Sequence, residues 1–211
     1  MIGIAATVVV VRAGPPLEVV MVRRNTRLGY HGGAWVFPGG RIDPGDGGAT
    51  ELDRARAAAV REAEEEAGLQ LRTGELVHHA HWTTPEGRKR RFAVDFFFAQ
   101  RSERVNLQAD GEEILEARWA PPDEWLKARD GGEIHLPPPT FVTLWRLRER
   151  GLDLFDAPVE RILPKPVKVP GGFASLYPGD AGYEARSADA QGARHRSLLL
   201  ESGWRYERRD R

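Results

Sequence analysis

The first forty residues alternate between apolar runs and polar, glycine-containing stretches. Residues 5–12 are continuous and rich in β-branched side chains, as a buried strand is, and residues 17–24 predict a second strand. The proline- and glycine-containing residues 13–16 predict the turn between them. Residues 25–33 are polar and predict a loop, and residues 35–37 predict a short strand. This part of the chain therefore predicts three strands with a turn and a loop between them.

The main helix is predicted over residues 50–67. Thr50, followed by Asp53, resembles a capping box, and Gly68 is a natural helix stop. Further strands are predicted over residues 76–82, 91–100 and 114–120, and further helices over 121–128 and 140–150. Strands mixed with two or three helices in this order predict an α+β layered sandwich.

Proline and glycine accumulate after residue 155, and the periodicity fades. We therefore expect one domain over residues 1–155 and an extension over residues 156–211 that packs on the core. Residues 196–206 could contribute one more strand or a hairpin to this extension.

Three glutamates on the main helix are the chief candidates for chemistry. Glu62, Glu65 and Glu66 stand at positions i, i+3 and i+4, which places them on one helical face. Clustered carboxylates suit hard ions such as Mg²⁺, Mn²⁺ or Ca²⁺. The alternative is a solvated acidic face. The glycine-rich turn W-V-F-P-G-G at residues 35–40 favours the metal site, because glycine allows close approach to a ligand.

The composition excludes several classes of protein. Lysine plus arginine and aspartate plus glutamate number 31 each, so no net charge favours nucleic acid or an anionic membrane. The absence of cysteine excludes disulfides, thiolate metal sites and a cysteine nucleophile. No apolar run approaches the ~20 residues of a membrane span. The beginning of the chain does not resemble a signal peptide and its end is not a peroxisomal address, so we expect a cytoplasmic protein.

The helix and the turn before it resemble the signature of the Nudix hydrolases, G-x5-E-x7-R-E-U-x-E-E-x-G-U, where U is aliphatic. Residues 61–69, R-E-A-E-E-E-A-G-L, fill its second half. The first half is longer by seven residues. Asp46 keeps the spacing from Gly40, and Asp53 keeps the spacing to Arg61. We expect Asp53 to take the place of the first box glutamate and to act through Arg61, a cap or a bridging water.

The insertion and F-P-G-G-R-I-D resemble the branch that includes the peroxisomal coenzyme A diphosphatases. Supporting features are W-T-T-P at residues 82–85, K-R-R-F at residues 89–92, a phenylalanine-rich strand, and Glu113 six residues before Trp119. The resemblance covers roughly residues 4–150. It implies a Nudix-type α/β/α sandwich with a mixed sheet, followed by the C-terminal extension.

The resemblance also implies the site. Its metal ligands would be Gly40, Glu62, Glu65 and Glu66, and its catalytic residues Glu65, Glu66, Arg61 and Glu113. Its substrate-binding residues would be Arg24, Phe37, Arg90 and Arg91. In the family pattern the arginine before the glutamates orients a glutamate, and we favour that role for Arg61 over contact with substrate. Glu113 could be a ligand or a general base, or a solvated loop residue.

Two other groups have competing interpretations. The basic run at residues 88–91 could hold outer phosphates of the substrate or could simply be solvated. His79 and His81 share a strand face, which could suggest zinc, but no third soft ligand lies nearby and we interpret them as strand residues. Trp35, Trp82, Phe96 and Phe98 could line a base pocket, although aromatics at strand spacing are usually core.

The function expected is Mg²⁺- or Mn²⁺-dependent cleavage of the phosphoanhydride in a nucleoside diphosphate linked to another group. Coenzyme A or its acyl derivatives are the first substrate hypothesis, and ADP-ribose or a dinucleotide the second. A nucleotide-binding regulatory Nudix domain with little turnover is the competing class. The expected partner is a small nucleotide, with no nucleic acid and no membrane, and a homodimer is an oligomeric state that the sequence allows.

Overall fold

The computed structural model describes residues 2–29, 31–201 and 203–209, and it divides the chain into two compact units. The larger unit consists of Ile4–Ala80 and Val94–Val159. The smaller unit consists of Met1–Gly3, His81–Ala93 and Glu160–Arg211. Each unit consists of segments that are separated in the sequence, so a single boundary does not divide the two units. The predicted boundary at residue 155 stays a prediction.

The elements agree with the predicted strands and helices of the first 150 residues to within a few residues. The strands are β1 Gly3–Arg12, β2 Glu18–Arg24, β3 Trp35–Val36, β4 Gly39–Arg41, β5 Val77–Thr83, β6 Phe92–Arg101, β7 Ile114–Ala120, β8 Glu160–Ile162, β9 Lys165–Val169, β10 Gly172–Leu176, β11 Arg194–Leu200 and β12 Gly203–Arg209. The helices are α1 Glu51–Ala67, α2 Pro122–Asp130 and α3 Pro138–Arg150, with 3₁₀ turns at Thr73–Glu75 and Gly151–Leu154. Within the described residues, none of these helices has the length and apolar character that crossing a membrane would require.

The sheet of the larger unit contains strands in the order β3-β2-β1-β6-β5. In addition, β4 pairs with β1 and β7 pairs with β2, both antiparallel. Successive strand residues point to opposite faces. Val8 and Val10 of β1 therefore share a face with Val20 and Val22 of β2, and this face packs in one core cluster with α1. The expected α+β class is confirmed.

Helix α1 meets this sheet through a stripe of alanines, Ala55, Ala58, Ala59, Ala63 and Ala67, all fully buried. The spacing of three and four residues places them on one side of the helix. Small side chains bring the helix backbone close to the sheet. Residues that continue the stripe therefore face the interior even when they are polar.

The opposite face of the sheet is buried as well, since Val9 and Val11 of β1 have no exposed surface. Here Trp125 of α2 is fully buried, and its ring lies 4.7 Å from that of Trp35 in β3. The guanidinium of Arg118 in β7 lies 4.4 Å from the Trp125 ring. Burial on both faces explains why the strands appear in the sequence as continuous apolar runs.

The smaller unit is built on an antiparallel sheet with the order β12-β11-β10-β9. Strands β11 and β12 pair along their full length, so the hairpin predicted near residues 196–206 is confirmed. Strands β8, β9 and β10 were not predicted, and neither was β4. In β9 the proline of K-P-V-K-V over Lys165–Val169 hid a short alternating pattern.

Candidate functional site

The ends of α1 are fixed as the sequence predicted. The Asp53 N–H donates to the Thr50 hydroxyl at 3.1 Å, and the Thr50 N–H donates to the Asp53 carboxylate at 3.2 Å, which is a capping box. At the other end Gly68 adopts φ 67°, a left-handed conformation that favours glycine. These two caps set the length of the helix that carries the glutamates.

The three glutamates of α1 differ in their exposure to solvent. Glu66 continues the alanine stripe and is only 4% exposed. The side chain of Glu62 is 16% exposed and that of Glu65 is 59% exposed. The three carboxylates thus run from the interior to the surface along one side of the helix.

The Glu66 carboxylate is buried with little compensation. It accepts the Gly39 N–H at 2.9 Å, and its other oxygen lies 4.0 Å from a guanidinium nitrogen of Arg24. Burial raises the pKa of Glu66 to about 8, and the negative charges of Glu62 and Glu113 add to the rise. A carboxyl with so few donors favours a nearby cation.

The two glycines of β4 lie between β1 and α1. A Cβ on Gly40 would stand 2.3 to 2.6 Å from the carboxyl atoms of Glu62, so that carboxylate lies directly on the Gly40 backbone. A Cβ on Gly39 would stand 2.4 Å from the carbonyl oxygen of Ala6. Burial also raises the pKa of Glu62, against the opposing effect of Arg61. The close contacts around residues 39 and 40 therefore require glycine at both positions.

Arg61 connects the helix to the preceding loop through Asp46. Its Nε and Nη2 donate to the two Asp46 oxygens at 3.0 and 3.2 Å, a bidentate pair. Its Nη1 donates to Glu62 at 2.8 Å and to Glu65 at 2.9 Å. Arg61 holds the pKa of the Asp46 carboxyl below its usual range, although burial opposes this.

In the structure Asp46, not Asp53, pairs with Arg61, whereas Asp53 acts as a cap, which is one of the three ways we expected. Which of the two takes the place of the first box glutamate stays a prediction. Asp53 caps the helix and pairs with Arg56 at 3.2 Å. Asp46 instead is 7% exposed and receives Arg61. The reason is geometric: Asp53 is committed to the first turn of α1, whereas the inserted loop folds back and brings Asp46 to the arginine. The spacing between Gly40 and Asp46 was the available signal.

Glu113 lies in the exposed loop before β7, and its charge contributes to the raised pKa values of Glu62 and Glu66. The next residue, Ile114, pairs with Arg24 of β2, which lies 4.0 Å from Glu66. The Asn25 N–H donates to the Glu113 carbonyl at 2.7 Å. Glu113 is joined in this way to the end of β2, where Arg24 also lies.

The four predicted substrate-binding residues fall into different places. Arg24 borders Glu66, as described above. Phe37 is 3% exposed, which does not fit a substrate contact because its ring is part of the core. Arg90 and Arg91 belong to the smaller unit; Arg90 is exposed, while the Arg91 Nε donates to the Thr84 carbonyl at 3.1 Å. Substrate binding by Arg90 and Arg91 stays a prediction.

His79 and the four aromatics of the strands are buried. His79 is 2% exposed and its ring lies 4.4 Å from that of Phe98, and burial lowers its pKa to about 3. His78 pairs with Asp95 at 2.9 Å. The four aromatics considered for a base pocket are all buried, so the core interpretation is confirmed for Trp35, Trp82, Phe96 and Phe98.

The donor set at α1 fits a hard divalent cation. Over residues 2–29, 31–201 and 203–209, no three His, Asp or Glu side chains already form a metal-binding group, because Glu65 is turned to Arg61 and Glu66 to Gly39. The Glu62 carboxyl nevertheless lies on the Gly40 backbone and the Glu66 carboxyl on the Gly39 N–H, and burial raises the pKa of both, so a bound cation would stabilise their charged forms. Hard oxygen donors of this kind suit Mg²⁺ or Mn²⁺.

Comparison with known proteins agrees with this description. The NUDIX domain family model matches residues 1–137. A curated protein of Caenorhabditis elegans, "Putative nudix hydrolase 7", is 27% identical over 207 residues, covering 79% of this chain and 70% of its own.

Two solved structures show the same fold. The NUDIX hydrolase from Alicyclobacillus acidocaldarius has a TM-score of 0.66 at 22% identity, covering 74% of this chain and 96% of its own. The NUDIX domain of Shewanella oneidensis NrtR, in a cocrystal structure with ADP ribose, has a TM-score of 0.54 at 16% identity, covering 71% and 88%. At these identities the likeness establishes the architecture alone.

Proposed function

Because the chain belongs to the NUDIX domain family and is a Nudix hydrolase, we propose that it cleaves the phosphoanhydride of a nucleoside diphosphate linked to another group. One observation carries this proposal: α1 directs Glu62 and Glu66 against the Gly39–Gly40 backbone, where burial raises the pKa of both carboxyls although Arg61 contacts Glu62. Such a site attracts a cation, and a cation there would receive the diphosphate.

We assign Glu62, Glu65, Glu66 and the Gly40 carbonyl as the groups that would hold Mg²⁺ or Mn²⁺. When bound, such an ion would supply positive charge for the phosphate oxygens and would lower the pKa of water. Glu65 is the most exposed of the three glutamates and contacts Arg61 at 2.9 Å. A small rotation of its side chain away from Arg61 would add it to the ligand set.

Arg61 and Glu113 have separate roles in this proposal. Arg61, fixed by Asp46, orients the carboxylates of Glu62 and Glu65 and does not touch the substrate. Glu113 lies in an exposed loop and accepts a proton from the attacking water. The water oxygen bonds to phosphorus, the bridging P–O bond breaks, and the bridging oxygen leaves with the second phosphate.

Coenzyme A or an acyl-coenzyme A is the substrate we favour, on the sequence resemblance around residues 37–43 and 82–92. In this hypothesis Arg24 meets the diphosphate beside Glu66. ADP-ribose or a dinucleotide is the alternative, favoured by the ADP ribose bound to the NrtR domain of the same fold. A regulatory domain with little turnover would be expected to lack a box glutamate, and here only the first is replaced, by Asp46.

The test is incubation of the purified protein with Mg²⁺ or Mn²⁺ and a panel of coenzyme A, ADP-ribose, NADH and diadenosine compounds, with products identified by mass. We expect two phosphorylated products from one member of the panel, and loss of the reaction with a chelator. Full activity of metal-stripped protein would exclude the metal site. Tight binding without products from any member would favour the regulatory class.

A further inference from the structure

The loop that carries Glu113 is held from one side by Asn25, the residue after β2. The Asn25 backbone N–H donates to the Glu113 carbonyl at 2.7 Å, and its Nδ2 donates to the Glu112 carbonyl at 2.8 Å. Its Oδ1 accepts the Arg27 N–H at 3.1 Å. The Asn25 side-chain amide thus donates from Nδ2 to the loop of Glu112 and accepts at Oδ1 from the loop that follows β2. These two bonds fix the orientation of the amide.

Asp110 holds the same loop from the other side. One oxygen of its carboxylate accepts three successive backbone N–H groups, from Glu112 at 2.5 Å, Glu113 at 2.8 Å and Ile114 at 3.2 Å. The Gly111 N–H donates to the Ile114 carbonyl at 2.9 Å and closes the turn. The backbone of Glu113 is therefore restrained at its N–H and at its carbonyl, while its side chain is exposed.

These restraints act at the edge of the glutamate cluster. Asn25 follows Arg24, which pairs with Ile114 across the strands and lies 4.0 Å from Glu66. The Asn25 amide is the side-chain link between the Glu112–Glu113 backbone and this end of β2.

We propose that Asn25 is a positioning residue, whose side-chain bond to the Glu112 carbonyl places the Glu113 carboxylate beside the helix glutamates. This inference rests on the proposed function, in which Glu113 is the base. An exposed loop without this bond would sample many positions, and misplacement of a base by about 1 Å can cost up to ~100-fold in rate.

A double-mutant cycle on the full-length protein tests the proposal. It uses Asn25→Ala, Glu113→Gln and the double variant, each assayed for kcat and KM with the substrate that wild type cleaves. Asn25→Asp is the second variant, because it keeps an acceptor for the Arg27 N–H but loses the donor. Asn106→Ala, at an exposed asparagine elsewhere in the same unit, is the matched control.

We expect Glu113→Gln to lower kcat by about 100-fold, as loss of a general base does. Asn25→Ala and Asn25→Asp should each lower kcat by about 10-fold with KM changed by less than about 3-fold, because the base is displaced and substrate binding is not. In the double variant the Asn25 effect should disappear. Asn106→Ala should behave as wild type.

Several results would overturn the inference. If the Asn25 effect persisted in full in the double variant, Asn25 would act independently of Glu113. If Asn25→Asp kept wild-type kcat, the donor would not be the relevant contact. If Glu113→Gln were fully active while Glu66→Gln was inactive, the metal site would be supported but Asn25 could not act by positioning Glu113. If wild type cleaved no anhydride at all, the proposed function and this inference would fall together.

Discussion

Two buried carboxylates, one in each unit, have opposite surroundings. In the smaller unit the Asp180 side chain is 0% exposed, and it receives Arg196 Nε and Nη2 at 2.7 and 2.6 Å. The backbone N–H groups of His195 and Gly182 add two more bonds at 2.9 Å each. Burial opposes ionisation of Asp180, but these four donors outweigh it and lower its pKa.

Glu66 in the larger unit is buried to a similar degree but has one N–H donor at 2.9 Å and an arginine at 4.0 Å. Burial therefore prevails and raises its pKa to about 8. A fully compensated buried charge holds its neighbours in place, whereas an uncompensated one reduces stability unless it serves a ligand. The difference separates a structural ion pair from a candidate site.

The largest expected effect comes from removing Asp180. Asp180→Ala would leave Arg196 buried without its partner and should lower the free energy of unfolding by about 3 to 5 kcal/mol. Denaturant unfolding followed by circular dichroism measures this. The exposed Asp189→Ala is the matched control and should change stability by less than ~0.5 kcal/mol. Equal unfolding midpoints for the two variants would contradict the structural role of Asp180.

For Glu66→Gln we expect the opposite of Asp180→Ala, because stability should be kept while activity is lost. It removes an uncompensated charge, so the melting temperature should hold or rise, while kcat/KM should fall by at least about 100-fold, ~2.7 kcal/mol of transition-state stabilisation. Glu64→Gln, at an exposed position of the same helix, is the control and should keep its activity. A loss below about 10-fold for Glu66→Gln would remove it from the central ligands.

The two aspartates of the insertion provide a sharper comparison within the larger unit. Asp46→Asn weakens the two hydrogen bonds that Asp46 accepts from Arg61. It should lower kcat by about 10-fold, which corresponds to ~1.4 kcal/mol in the activation free energy. Asp53→Asn disturbs the cap of α1 and should change the melting temperature with little change in kcat. Steady-state kinetics and thermal melts of both variants decide between them. The reverse order, a slow Asp53→Asn beside a fast Asp46→Asn, would restore the assignment favoured by the sequence.

The smallest effect concerns Glu18, a compensated carboxylate in the larger unit. Hydrogen bonds from Arg104 and Arg12 lower its pKa to about 2, although burial opposes this. A depressed pKa stabilises the fold above the ordinary pKa near 4.5, and this contribution is lost as pH falls towards 2.

Between pH 7 and pH 4 the loss should be about 1 kcal/mol, or roughly 2 to 4 °C in melting temperature. Glu18→Gln should lack this component. If the melting temperatures of wild type and Glu18→Gln fell equally between pH 7 and pH 4, Glu18 would not be compensated in the way described.

Much of the fold could be predicted because the signals are local. The β-branched runs of β1 and β2, the capping box at Thr50 and the stop at Gly68 each depend on neighbouring residues alone. The short strands β4, β8, β9 and β10 could not be predicted in this way, since three to five residues carry little periodicity. The pairing decides that they are strands: β4 pairs with the distant β1, and β9 and β10 pair with each other.

The same distinction between local and tertiary determinants applies to the candidate site. The sequence by itself determined which helix carries Glu62, Glu65 and Glu66 and that they share a face, because helical geometry fixes those spacings. Only the tertiary structure decided that Glu66 is buried, that Asp46 and not Asp53 meets Arg61, that Phe37 belongs to the core, and that Asn25 holds the Glu113 loop. Each of those facts depends on where segments far apart in the chain come together, and burial and charge compensation exist only after they have done so.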